Sequence, residues 1–192
     1  MTLQIRQYAP AFPQSLVVSG LISVPNAVSQ GHALGACCSL ETPSGVRSVT
    51  KIEQGELIRT ACGDWQKVAA RRTRRAGARA MVRLPASDVT GPEPFCVDRE
   101  AHVMICHPLA ELHFTESAVL VRASDLVACG FASDVTVDGP LHEIELERRG
   151  IAACGRSGVV LPGVSDSLAG EDEMGLMVLY ADETRLLMHL LA

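Results

Sequence analysis

Short runs of alternating apolar and polar residues, each closed by a turn signal, dominate this chain and set its expected fold class. Ala101–Cys106, Ala118–Arg122, Asp134–Val137 and Leu141–Leu146 all read as strands. Ile151–Cys154 and Val159–Leu161 follow, separated by the glycine-flanked turn Gly155-Arg156-Ser157-Gly158. Val46–Thr60 reads as a hairpin around Glu53-Gln54-Gly55-Glu56, and Leu109–Phe114 and Asp125–Cys129 as two further strands. Period-two alternation places successive side chains on opposite faces of a sheet, and regular turn spacing indicates a sandwich or a barrel. The expected class is therefore all-β: a β-sandwich or barrel of short antiparallel strands with at most one or two short helices. Glycine and proline together supply 26 of 192 residues, too many for a helix bundle. Aromatic residues are only 4%, so Val, Leu, Ile, Ala and Met must fill the core.

One segment breaks the pattern. Trp65–Arg83 holds seven basic residues and no acid, with Val68, Ala69, Arg72 and Ala76 at loosely helical spacing. It reads as a short helix or a long exposed loop. It separates an N-terminal β section (residues 1–64) from an acidic C-terminal β section (residues 93–192), with residues 65–92 as the basic connection, all packed as one unit. Charge follows that division: residues 1–92 carry 11 basic and 5 acidic side chains, residues 93–192 carry 6 and 17. Opposite balances of this kind attract within one fold or between copies of the chain. Gln7–Leu40 has no charged residue, but Pro10, Pro13 and Pro25 break it. Its apolar pieces fall far below the ~20 residues a spanning helix needs. It reads as two short buried strands, with no secretory signal and no transmembrane segment, and the expected location is cytoplasmic.

Candidate chemistry is sparse. Seven cysteines without a Cys-x-x-Cys spacing argue against zinc ribbons and dithiol motifs and for free thiols in a reducing compartment. A reactive thiol would need a spatial neighbour that sequence does not reveal; Cys37-Cys38 is the one adjacent pair. His107, Glu111 and His113 would share a face of an extended strand, and imidazole with carboxylate suits a divalent metal. The run Arg71, Arg72, Arg74 and Arg75 could hold anions on RNA, DNA or lipid headgroups, although no aromatics interleave for base stacking. Glu143, Glu145 and Glu147 share one strand face, which reads as the wet side of a sheet, and Glu171-Asp172-Glu173 as a solvent-facing loop. No Gly-x-Ser-x-Gly elbow and no phosphate-binding glycine loop occurs, so no catalytic residue and no organic cofactor is assigned.

The segments Ala101–Ile105, Leu109–Leu112, Val119–Ala128 and Leu141–Ala152, with their Leu-Val-Ala run at 126–128, resemble the mitochondrial-biogenesis (altered inheritance of mitochondria) family. Those are β-sandwich proteins related in fold to the tryptophan RNA-binding attenuator. The resemblance covers about a third of the chain and implies a non-enzymatic, self-associating β protein. The leading expectation is a non-catalytic binding or scaffold protein that forms a homo-oligomer or engages a protein partner. Two alternatives stand beside it: a small metal-dependent barrel enzyme using His107, Glu111 and His113, and an RNA- or anionic-lipid-binding module using the arginines.

Overall fold

The computed structural model describes residues 33–75, 79–164 and 175–191. The chain enters with β1 (Ala33–Leu34), β2 (Ser39–Thr42) and β3 (Gly45–Ser48), then a 3₁₀ turn over Val49–Lys51. β4 (Leu57–Arg59), β5 (Trp65–Arg75), β6 (Arg79–Leu84), β7 (Phe95–Asp98) and β8 (His102–Cys106) follow. Helix α1 (Pro108–Phe114), β9 (Ala118–Arg122), helix α2 (Ala123–Ala128), β10 (Ser133–Val137), β11 (Pro140–Leu146), β12 (Gly150–Cys154) and β13 (Ser157–Leu161) come next. The chain ends with β14 (Met177–Val178) and helix α3 (Ala181–Leu191).

The described strands form three sheets. The largest has the order β10-β6-β7-β1-β11-β5-β4, the second β12-β13-β8-β9-β14, and the third is the β2–β3 hairpin. The fold is β-rich, as the alternation predicts, but the described residues carry three α-helices rather than one or two. No closed barrel is seen among the described residues, and the β9–β14 pair is parallel.

One face of each large sheet supplies the main core. Leu34, Val68, Val82, Val97, Ile144 and Leu146 come from the seven-stranded sheet, and Val103, Ile105, Val119, Val121, Val159 and Leu161 from the five-stranded one. The helices add Ala110, Ala123, Leu126, Leu187 and Met188. The opposite face of the seven-stranded sheet holds a smaller cluster of Ala33, Met81, Cys96 and Leu141.

Two strand readings are corrected. Leu109–Phe114 is helix α1: Pro108 occupies its first turn, where the missing N–H costs nothing, and His107 Nδ1 accepts from Leu109 N at 3.2 Å. In that helix Ala110 is buried with Leu109 and Phe114 packed beside it, while Leu112 projects into solvent. Asp125–Cys129 belongs largely to helix α2, whose Ala123 and Leu126 are buried one turn apart. Gly130 (φ 78°) ends it, and Phe131 N donates back to Leu126 O at 3.0 Å.

Trp65–Arg83 is neither helix nor loop where it is described; it is mostly the two strands β5 and β6. The acidic β11 lies beside β5 and supplies counter-charges, and that tertiary pairing overrides the weak helical spacing. Val46–Thr60 splits: Gly45–Ser48 returns along β2, whereas Leu57–Arg59 pairs with β5.

The β12–β13 turn rests on a close backbone crossing. A Cβ on Gly91 (φ 106°) would stand 2.9 Å from Arg156 N, and one on Gly155 (φ 63°) 2.9 Å from Thr90 O. Both positions need glycine for conformation and for space. The uncharged stretch up to residue 32 and Glu171-Asp172-Glu173 lie outside the described residues.

Candidate functional site

Strand register builds an exposed band on the hairpin and on β4–β5. Cross-strand partners share a face, so Glu41 lies beside Val46, Arg59 beside Trp65, and Leu57 beside Lys67. Glu41 and Arg59 join the two sheets through an ion pair at 2.8 Å. Ile58, between Leu57 and Arg59, points inward and is fully buried, so the outer residues cannot rotate into the core. Val46 is 71% exposed, Leu57 41% and Trp65 44%.

A shallow groove of about 380 Å³ opens beside this band, lined by Thr42, Pro43, Ser44, Arg47, Glu56 and Leu57. Arg47 pairs with Glu56 in its wall. The Glu53 N–H donates to Glu56 at 2.9 Å; that bond, with the Arg47 guanidinium, holds the Glu56 carboxyl below its ordinary range. Lys67 stands 3.9 Å from Glu147. The band thus sets three cations, Arg47, Arg59 and Lys67, against three anions, Glu41, Glu56 and Glu147.

The arginine run divides by strand alternation. Arg74 pairs with Glu143 at 2.9 Å and Arg72 with Glu145 at 3.6 Å, on the face opposite the main core. Glu143 is only 5% exposed, so the wet-face reading of the acidic strand is corrected: its carboxylate is buried because a guanidinium meets it. Arg71 turns to the other face, donating to Thr50 O at 2.9 Å and approaching His142 Nδ1 at 3.3 Å. Burial, and then the Arg71 charge, lower the His142 pKa. Its Nε2 and the Arg71 Nε have no hydrogen-bond partner among the described residues. Arg75 closes β5 opposite Pro140. The four arginines therefore do not form one anion-binding patch: two meet carboxylates and Arg71 points to the opposite face.

The metal candidates are separated too. His107 caps α1, and Glu111 and His113 lie two residues apart on that helix, about 200° around its axis. Among the described residues no three His, Cys, Asp or Glu side chains gather as a metal ion requires.

Sequence reasoning left one cluster without its partner. Gly35 N donates to Cys96 O at 2.8 Å and Cys38 N to Gly35 O at 2.9 Å, a tight turn that folds Cys37 back over β7. The neighbouring Cys38 and Cys96 thiols hydrogen-bond to the Cys37 sulfur and hold its pKa down to about 3. Cys38 is buried in the main core, its sulfur 3.0 Å from Cys96 O. Its own pKa is raised by the Cys37 hydrogen bond and by burial, and burial pushes Cys154 up to about 12.

No family model matches the chain, and no curated protein matches it. Among solved structures it is similar to the MchDnaB-1 intein, at 15% identity over 67% of this chain and 99% of that one, with a TM-score of 0.45. It is also similar to the gp41-1 intein, at 14% identity over 68% and 98%, with a TM-score of 0.40. The resemblance to the mitochondrial-biogenesis family is overturned. No model of that family matches, and two of the segments that carried the resemblance, Leu109–Leu112 and the Leu-Val-Ala run at 126–128, are helical where a β-sandwich requires strands.

Proposed function

We propose that this chain is a non-catalytic, β-sandwich-like binding protein that self-associates through the band around Trp65. The observation that carries the reading is the exposure of Val46, Leu57 and Trp65 on one rigid surface with Arg59 at its centre. Aromatic and arginine side chains on a fixed scaffold supply most of the energy at protein interfaces.

A second copy of the chain is the occupant that the charges favour. Each of the three cations is paired with an anion of the same chain, so these charges balance on the band, which offers no net charge to a strongly charged partner and does not repel a second copy. The groove is shallow and open to one side, which suits a protruding side chain from the other copy. No described helix is long and apolar enough to cross a membrane. Buried free thiols at Cys38, Cys96 and Cys154 suit a reducing compartment, and a cytoplasmic location is part of this proposal.

The test uses the chain's single tryptophan, which lies in the proposed interface. Light scattering and Trp65 emission are followed together over a dilution series. We expect a mass above one chain that falls on dilution while the emission shifts to the red. The Leu57→Lys, Trp65→Glu double variant should be monomeric throughout with unchanged circular dichroism. A monomer at every concentration overturns the proposal, as does an oligomer that the double variant leaves intact.

A further inference from the structure

We propose that Cys37 and Cys96 form a reversible dithiol–disulfide couple, in which Cys37 attacks a low-molecular-weight disulfide and Cys96 resolves the mixed disulfide. The argument begins with Gly35. A Cβ there would stand 2.8 Å from the Cys96 Cβ and 3.6 Å from the Cys37 sulfur, so both side chains converge on the space that a glycine leaves open. The turn hydrogen bonds Gly35 N to Cys96 O and Cys38 N to Gly35 O hold that convergence in place.

The roles separate by exposure. Cys37 is exposed and open to a reagent, while Cys96 is 7% exposed and shielded from one. Cys38 is the weaker resolver: it is completely buried, it belongs to the main core, and a bond between adjacent residues needs a strained backbone. Arg83 lies opposite Cys96 on β6, and its charge favours the Cys96 thiolate, although burial and the Cys37 hydrogen bond oppose it. The other two exposed thiols offer controls. Cys62 is exposed, and burial raises the Cys106 pKa.

The exchange balances. The Cys37 thiolate attacks one sulfur of R–S–S–R, forming Cys37–S–S–R and expelling RS⁻, which takes up the proton that Cys37 had released. Cys96 then loses its proton and attacks the Cys37 sulfur, and the second RS⁻ leaves and takes that proton. Two protein thiols lose two electrons, and one small disulfide becomes two thiols.

The experiment exposes the full chain to oxidised glutathione and maps disulfides by mass spectrometry. The expected product is a Cys37–Cys96 bond that dithiothreitol reverses. Cys96→Ser should trap glutathione on Cys37, and Cys37→Ser, at an exposed position, should leave Cys96 unmodified. In the unsubstituted chain, iodoacetamide should label Cys37 about tenfold faster than Cys62 at neutral pH. A Cys37–Cys38 bond, glutathione that stays on Cys37 in the unsubstituted chain, or labelling of Cys37 no faster than Cys62 overturns the proposal. These readouts are independent of self-association.

Discussion

The two faces of the seven-stranded sheet are built on different physics. One face presents Leu34, Val68, Val82, Val97, Ile144 and Leu146 to the main core, apolar side chains from five strands. The other presents Ala33, Met81, Cys96 and Leu141, flanked by the Arg72–Glu145 and Arg74–Glu143 pairs. The first face gains from dry packing, which is non-directional and tolerates no missing volume. The second gains from pairing, which is directional and depends on the charge state of a few groups. The Arg72, Arg74, Glu143 and Glu145 charges and the Cys96 thiol lie on the second face, whereas the first takes in the Arg71–His142 contact at its edge.

Substitutions that strike each face in turn sharpen that contrast. Leu146→Ala empties fully buried core volume and should cost about 2–5 kcal/mol in chemical denaturation. Glu143→Ala removes a buried carboxylate but leaves Arg74 with a solvent path, so about 1 kcal/mol is expected, well below the cost of a fully buried pair.

His142 tests the polar contact inside the core face. Its folded pKa lies below the ordinary 6.5, so the unfolded chain binds a proton that the folded chain refuses. Its contribution is present above about pH 6.5 and is lost as pH falls from there through the lowered folded value. His142→Gln should flatten that part of the stability–pH curve, and an unchanged slope would show that another group governs it. The smallest effect belongs to Arg72→Ala. Its pair is long and largely solvent-exposed, so the change should stay within about 0.5 kcal/mol and vanish in high salt.

Much of the sheet framework was legible in the sequence because β8, β9, β12 and β13 are short apolar runs, and β10 and β11 mixed ones, that stop at recognisable turns. The helices were not. α1 has seven residues and α2 six, and over fewer than two turns a helical and an alternating pattern coincide. β5 was illegible for another reason: its partner β11 lies about 70 residues further along, and only that partner explains a strand with so many arginines. The same holds for the thiols. Cys37-Cys38 stands out in the sequence, but Cys96 lies far along the chain and meets it only through the β1–β7 pairing. Trp65 is conspicuous as the single tryptophan, yet nothing local tells that its indole faces outward.

The Gly91–Gly155 crossing ties the fates of two loops that are otherwise far apart in the chain. Neither glycine can gain a side chain unless the other loop's backbone retreats, so a change in one is a change in both. Insertions are best placed before Ser87, because Ser157 beyond the turn already opens the buried strand β13, and the crossing itself has a fixed length. Anyone grafting a new sequence onto the β12–β13 turn will be re-engineering the 85–91 loop as well.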